Sequence, residues 1–183
     1  MTSRALMVVL PLLVIAPAAH GAAKWPVARS PVIPQARGFA AIPDAAVPVS
    51  RTQTYKAIFD ATRLADKSTQ LLPAVNMLGA ELNALGASGA PLKNGRFVII
   101  FHGPAVDGLL NDTAYRAKFG TANPNLPVFA ELRRAGVEEY VCGQYLASKN
   151  IDRASLSPDV TVASGASIVL TTYQNRGYAL LCF

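Results

Sequence analysis

From residue 51 onward the apolar residues follow two alternating spacings, which predict an alternation of strands and helices. Short apolar runs, of which FVIIF is the clearest, predict strands over 54–62, 96–103, 137–142 and 178–183. Apolar residues at helical spacing predict helices over 72–86, 123–136 and 162–177, with one or two short helices in 104–120. This order predicts an α/β fold, a three-layer sandwich with a mainly parallel sheet of four to five strands and right-handed crossovers.

Residues that favour helix ends support these boundaries. Asn111 or Asp112 is predicted to cap the second short helix, and Asn125 is predicted to cap the helix over 123–136. Gly136 lies where that helix should end, because glycine adopts the left-handed conformation that commonly closes a helix. The run of large apolar residues in FVIIF suits a strand buried on both faces, as in a parallel sheet covered by helices.

The N-terminal segment follows neither spacing. A short basic start, MTSR, precedes an apolar run of about 15 residues, and small residues near Gly21 suit cleavage of an export signal. Residues 1–21 are therefore predicted to be a signal peptide, and the protein is expected to be periplasmic or secreted. The apolar run is shorter than the roughly 20 residues of a spanning helix, so no stable membrane insertion is expected after cleavage. Residues 22–51 are rich in Pro and Ala and predict an extended arm before an α/β domain over 52–183.

The formal net charge of +6 adds little to this picture. From residue 51 onward the chain has thirteen basic and ten acidic residues, and Arg133-Arg134 is the one adjacent basic pair. Nucleic-acid binding proteins usually cluster their basic residues on one surface, so no nucleic-acid partner is expected. Two separated cysteines and few histidines do not make a zinc site, and no glycine-rich phosphate loop is present, so neither a metal nor a cofactor is expected.

Two predicted strands end in residues that can do chemistry. His102-Gly103 closes one strand and Cys142-Gly143 closes another, so both should lie at the carboxyl edge of the sheet, where ligands bind in such folds. A helix after Cys142 would favour the nucleophilic thiolate, whereas a buried cysteine often serves only as a small apolar residue. His102 is either a base or ligand contact beside Cys142, or a hydrogen-bond partner of the turn that follows it.

The candidate site therefore consists of Cys142 as the reactive residue, with His102, Gly103, Gly143 and Asn123 as candidate binding residues. Asn123 belongs to the start of a predicted helix first and is a ligand contact second. A third interpretation involves Cys182, because two cysteines near the ends of strands in an exported protein could form a disulfide if the strands are neighbours.

Three stretches resemble the DsrE/DsrF-like family, particularly its exported single-domain members. They are FVIIFHGPAVDGLL, NPNLPVFAELRRAGVEEYVCGQYLASKNI and LSPDVTVASGASIVLTTYQNRGYALL, within roughly residues 52 to 183. The resemblance implies an α/β sandwich that assembles into homo- or hetero-oligomers. Sulfur-relay members of the family carry sulfur as a persulfide on one cysteine, which corresponds to Cys142. The chain departs from the relay subunits at Lys149-Asn150, where those subunits often have an Arg-Gly pair.

The leading hypothesis from the sequence is an exported sulfur carrier, with at most a transferase-like activity. Cys142 would accept sulfane sulfur from a donor and pass it to an acceptor protein, and the chain would form a homo-oligomer. The first alternative is a non-catalytic binding or assembly module with a pocket at the strand ends. The second alternative is a structural disulfide between Cys142 and Cys182.

Overall fold

The computed structural model describes residues 25–183, so the predicted signal peptide over 1–21 lies outside the described residues. Five strands form one parallel sheet in the order β4-β3-β2-β1-β5. The strands are β1 Tyr55–Ala61, β2 Gly95–Phe101, β3 Glu138–Cys142, β4 Thr161–Ala163 and β5 Ala179–Cys182. The helices are α1 Pro73–Ala87, α2 Asp112–Phe119, α3 Asn125–Arg134, α4 Gly143–Ser148 and α5 Ala166–Asn175, with 3-10 turns at Leu92–Asn94, Gly103–Leu109 and Arg153–Ser155.

Two helical layers cover the sheet, which confirms the predicted three-layer α/β sandwich. On the first face, Phe59 and Phe101 pack under α1 and α3 in the larger hydrophobic cluster. On the second face, Ile58 and Ile100 pack against α5 in a smaller cluster. Consecutive strand residues enter different clusters because side chains alternate between the two faces of a sheet. FVIIF is buried along its whole length, as its unbroken apolar pattern predicts.

The strand order sends the chain across the sheet in two directions. It steps from β1 through β2 and β3 to β4, and the connecting helices pack mainly on the first face. It then returns across the sheet to place β5 on the other side of β1, and α5 makes this connection over the second face. Right-handed crossovers require this change of face when the direction of travel reverses.

Two local predictions are corrected by the structure. The helix predicted over 162–177 begins only at Ala166, because the residues before it form β4. This strand has three residues, too few for an alternating pattern to be recognised in the sequence. Asn125 is the first residue of α3 and not its cap, since Asn123 Oδ1 accepts the Asn125 amide at 2.9 Å. Asn111 caps α2 as predicted, by accepting the amide of Ala114.

The proline-rich arm lies on α1 without forming a helix or a regular strand in its described part, residues 25–51. Arg29 and Phe39 form an isolated antiparallel bridge, and Ile33 at the tip of this loop is fully buried. The buried side chain of Asn83 holds the loop by accepting the amides of Val32 and Ile33 and donating to two carbonyls of the arm. Within residues 25–183 no helix has the length and apolarity that crossing a bilayer requires.

Candidate functional site

Cys142 lies at the junction of β3 and α4, with 6% of its surface exposed. Its Sγ accepts two backbone hydrogen bonds, from the amide of Tyr145 at 3.4 Å and from the amide of Ala166 at 3.3 Å. The first bond makes Cys142 the N-cap of α4, and the second comes from the first residue of α5. The sulfur atom therefore contacts the amino ends of two helices, where backbone N–H groups carry partial positive charge.

The topology explains why two helix starts meet at this cysteine. The connection that leaves β3 begins with α4, whose Leu146 packs in the core of the first face. The connection that leaves β4 begins with α5, on the second face. In open parallel sheets a ligand-binding crevice forms at the carboxyl edge where neighbouring connections diverge in this way. Cys142 occupies that position between β3 and β4.

Gly143 permits the close approach of β4 to the start of α4. A Cβ atom at this position would lie 2.7 Å from the carbonyl oxygen of Ala163 and 3.3 Å from Cγ1 of Val162. A side chain here would therefore push the end of β4 away, and with it the start of α5. The absence of a side chain at Gly143 thus helps to bring the Ala166 amide to the sulfur of Cys142.

His102 follows β2, and its ring is paired with a carboxylate. Its Nε2 lies 2.7 Å from Oδ1 of Asp60 on β1, and the bond is partly shielded, with 31% of the His102 side chain and 16% of the Asp60 side chain exposed. An ionised carboxylate only accepts hydrogen bonds, so Nε2 is the donor and Nδ1 is the nitrogen that can take up a proton. The ring bonds Asp60 instead of the turn that follows. That turn depends on Gly103, whose φ of +59° favours glycine.

The sheet register places a row of four side chains near the carboxyl edge, at two levels along the strands. Asp60 pairs with Cys182 across β1 and β5 and is level with Ile100, two residues before His102. The last paired residues of β2 and β3 directly precede His102 and Cys142. Because side chains alternate along each strand, all four belong to the second face, which α5 covers. Across the sheet the order is Cys142, His102, Asp60, Cys182. Neighbouring strands are about 4.8 Å apart, so the backbone of His102 lies beside that of Cys142. Its ring reaches back along the sheet to Asp60, to which it is hydrogen-bonded.

Cys182 is not bridged to Cys142, and the disulfide interpretation is wrong for a single chain. Both cysteines are free, Cys142 buried and Cys182 exposed. Their strands, β3 and β5, are separated by β2 and β1, and three interstrand steps amount to roughly 14 Å. A disulfide requires Cα atoms within about 7 Å of each other. Sequence alone does not give strand order, so the sequence pattern is compatible with a bridge that the strand order excludes.

Asn123 lies away from this row, in the packing before α3. Its side-chain amide donates to the carbonyls of Gly108 at 2.9 Å and Leu110 at 2.7 Å, and its Oδ1 accepts the backbone and side-chain N–H groups of Asn125. These four bonds use the polar atoms of a side chain that is itself buried. The structure therefore brings Cys142, Gly143 and His102 with Gly103 to the carboxyl edge and gives Asn123 a role within the fold.

The far half of α5 is fixed to β3 by a polar cluster. The hydroxyl groups of Tyr140 and Tyr173 donate to Oε2 of Glu138 at 2.8 Å and 2.7 Å. Burial raises the pKa of both tyrosines, so both remain neutral hydrogen-bond donors at physiological pH. This cluster holds α5 against the sheet, and its amino end is thereby held near Cys142.

Glu139 is a buried carboxyl group on the first face of β3, opposite Cys142. Its side chain is 1% exposed, its Oε2 accepts Nη1 of Arg133 at 3.0 Å, and its Oε1 has no partner within residues 25–183. Burial raises the pKa of Glu139 to about 8, although the nearby Arg133 guanidinium opposes this effect. Arg133 also pairs with Asp159 at 2.6 Å, so it ties α3 to β3 and to the segment before β4.

The sequence interpretation missed two parts of the site. Asp60 is the one charged residue in the buried part of β1, and an acidic residue at the end of an apolar strand is a signal that could have identified it. The Ala166 amide was missed because the predicted helix began too early. Within the described residues 25–183, no three His, Cys, Asp or Glu side chains are grouped so that they could hold a metal ion.

Comparison with known proteins agrees with this fold. A sequence profile described as the DsrE/DsrF-like family matches residues 57–183. No curated protein matches the chain. The solved structure of a protein of unknown function from Methanobacterium thermoautotrophicum is similar, with a TM-score of 0.52 and 19% sequence identity. The similarity covers 70% of this chain and 99% of that one, and at this level of identity it shows the fold alone.

Proposed function

Because the chain belongs to the DsrE/DsrF-like family, as the match over residues 57–183 shows, we propose that it is an exported sulfur carrier. In this proposal Cys142 holds sulfane sulfur as a persulfide and passes it to an acceptor. Family membership supports a sulfur-relay role in general. The single observation that favours Cys142 as the carrier is its Sγ, which accepts backbone amides from the starts of both α4 and α5.

The two amide donors point at the sulfur atom that would react. The thiolate is the nucleophile in sulfur transfer, and helix N-termini stabilise negative charge on sulfur. These amides contact Sγ itself. They would stabilise the negative charge on the outer sulfur of a persulfide only if that sulfur also lay within reach of them. In the transfer step the Cys142 thiolate attacks the terminal sulfur of a donor persulfide, R–S–SH, and the donor leaves as a thiol. No external oxidant is needed, because the sulfane sulfur passes unchanged in oxidation state from one thiol to the other.

The test is to treat the purified protein with a low-molecular-weight persulfide and map the modified cysteine by mass spectrometry. The wild type should gain one sulfur atom on Cys142, and Cys142→Ser should lose this gain completely. Serine preserves the capping of α4, because its hydroxyl is an effective N-cap, so the variant should fold normally. Cys182→Ser is the matched control and should keep the gain on Cys142. Undiminished labelling of Cys142→Ser would mean that the sulfur sits on Cys182.

The non-catalytic binding module is the second candidate, and one observation favours it. With 6% of its surface exposed, Cys142 is as buried as a packing residue, and its two hydrogen bonds would be as useful to a structural cap as to a carrier. This candidate predicts that Cys142→Ser keeps every function of the protein. The persulfide assay therefore separates the two candidates.

Export and self-association are further parts of the proposal. Export is supported by the basic start and apolar run within residues 1–21. A homo-oligomer is supported by Ile168 on α5 and Leu180 on β5, which are 60% and 38% exposed on the side of the sheet that carries α5. Apolar side chains exposed on one face of a sheet are available to bind another protein chain. A sulfur donor and an acceptor protein remain the expected partners.

A further inference from the structure

We propose that His102, positioned by Asp60, is the proton-transfer residue of the reaction at Cys142. The inference rests on the proposed sulfur-carrier function and adds to it the group that protonates the leaving thiol. Its basis is the carboxyl edge, where His102 and Cys142 follow paired residues of the neighbouring strands β2 and β3 and the His102 ring is hydrogen-bonded to Asp60 of β1.

The bond to Asp60 gives His102 a defined tautomer. Since Nε2 donates to the carboxylate at 2.7 Å, Nδ1 carries the lone pair of the neutral ring. Nδ1 has no hydrogen-bond partner within residues 25–183, so it is free to accept a proton from a thiol. The negative charge of Asp60 stabilises the imidazolium that forms when Nδ1 takes up a proton. A carboxylate that orients a histidine in this way is the usual companion of an imidazole base.

Few other charges reach this histidine. The titratable groups that the register places on the same face are Asp60 on β1, Tyr140 and Cys142 on β3 and, beyond Asp60, Cys182 on β5. The one ionisable side chain of α5 is Tyr173, which is bound to Glu138. The charged residue nearest to His102 along the chain is the half-buried Asp107, which is paired with Lys118, and the exposed Arg63 follows Asp60 by three residues. Asp60 is therefore the one carboxylate that is hydrogen-bonded to this ring within residues 25–183.

The proposed step balances without any further reactant. Nδ1 of His102 takes the proton of the Cys142 thiol, which gives a thiolate and an imidazolium. The thiolate attacks the terminal sulfur of R–S–SH, so a bond forms between the two sulfurs and the S–S bond of the donor breaks. The leaving thiolate RS⁻ then takes the proton from the imidazolium. The products are Cys142–S–SH, RSH and neutral His102.

The experiment measures the rate of persulfide formation on Cys142 as a function of pH. All proteins carry Cys182→Ser, so that Cys142 is the one cysteine of residues 25–183 that the donor can modify. Glutathione persulfide is the donor. The variants are His102→Gln and Asp60→Asn, with Asp107→Asn as the matched control. Between about pH 6 and pH 8, where imidazole changes its charge, the reference protein should show a maximum in rate. Thermal melting of each variant establishes that it is folded.

His102→Gln should react at least tenfold more slowly at neutral pH, since positioned acid or base groups contribute about 10² to 10⁴ in rate. Its rate should rise steadily with pH, because hydroxide alone then forms the thiolate. Asp60→Asn should also react more slowly and with a changed pH profile, because the ring loses the carboxylate that orients it. This variant also decides the matter if His102→Gln does not fold.

Each other outcome has a definite meaning. Profiles of His102→Gln and Asp60→Asn that coincide with that of the reference protein would overturn this inference and leave the carrier function intact. An unmodified Cys142 in the reference protein at every pH would overturn the proposed function, and this inference with it. A changed profile in Asp107→Asn would also count against it, because any nearby carboxylate would then have the same effect.

Discussion

Replacing Glu139 by glutamine should remove much of the pH dependence of folding stability between about pH 5 and pH 8. The wild type should become less stable as the pH rises through this range, whereas Glu139→Gln should change little. At pH 8 the variant should be more stable by a few kcal/mol, since one pKa unit corresponds to about 1.4 kcal/mol. Near pH 5 the two proteins should be similar, because a protonated glutamic acid and a glutamine have the same charge.

The sign follows from the burial of the side chain. Burial raises the pKa of Glu139 from 4.5 to about 8, so between these values the folded protein keeps a proton that the unfolded chain has released. Stability therefore falls with rising pH and levels off above the folded-state pKa. Arg133 partly compensates the buried charge, but Oε1 of Glu139 has no partner within residues 25–183.

Chemical denaturation of both proteins at several pH values checks this prediction. The quantity of interest is the difference in the free energy of unfolding between the two proteins, which cancels the contribution of other groups such as Glu81, whose pKa burial also raises. A difference that stays constant from pH 5 to pH 8 would mean that Glu139 is ionised in the folded protein and fully neutralised by Arg133.

Replacing Gly143 by alanine should destabilise the protein and impair the site at the same time. The new Cβ would lie 2.7 Å from the backbone oxygen of Ala163, and a backbone atom cannot rotate away as the end of a side chain can. Overpacking of this kind costs about 1 to 3 kcal/mol. To relieve it, β4 and the start of α5 must shift, which weakens the bond from the Ala166 amide to Cys142. Persulfide formation on Cys142 should therefore become slower.

Gly165→Ala is the matched control, because Gly165 precedes α5 on the other side of the same sulfur. A Cβ at Gly165 would lie 3.5 Å from Cγ of Gln144, an ordinary contact, and its extended backbone is open to any residue. Stability comes from denaturation, and reactivity from the rate at which the persulfide donor labels Cys142. If Gly143→Ala and Gly165→Ala behave alike in both measurements, the close approach at Gly143 does not support the site.

The sequence predicts much of this fold because its elements carry strong local patterns. FVIIF has the unbroken apolar pattern that suits a strand buried on both faces, and the helix over 72–86 matches α1 within one residue at each end. β4 was not predicted, because a strand of three residues is too short to show a periodic pattern. The packing of the arm on α1 was not predicted for a different reason. The burial of Ile33 depends on hydrogen bonds with Asn83, which is fifty residues away in the sequence. No local sequence pattern indicates such contacts.

One part of the candidate site could be predicted from local sequence patterns, and another part depends on long-range packing. The placement of His102 and Cys142 at one edge follows from the parallel sheet, because both end strands that run in the same direction. Their adjacency depends on strand order, as does the separation of Cys142 from Cys182, and strand order is set by long-range packing. The partner of His102 lies on another strand, so the role of Asp60 could be recognised only once β1 and β2 were seen side by side.

The most direct test of the central claim is the intact mass of the mature protein isolated from its native host, measured before and after reduction. A sulfur carrier should contain a fraction with one additional sulfur atom, which maps to the peptide of Cys142 and disappears on reduction. Treatment with a persulfide donor should convert the remainder. If Cys142 is unmodified in the isolated protein and stays so after treatment, the carrier function is contradicted and Cys142 is a structural cap of α4 and α5.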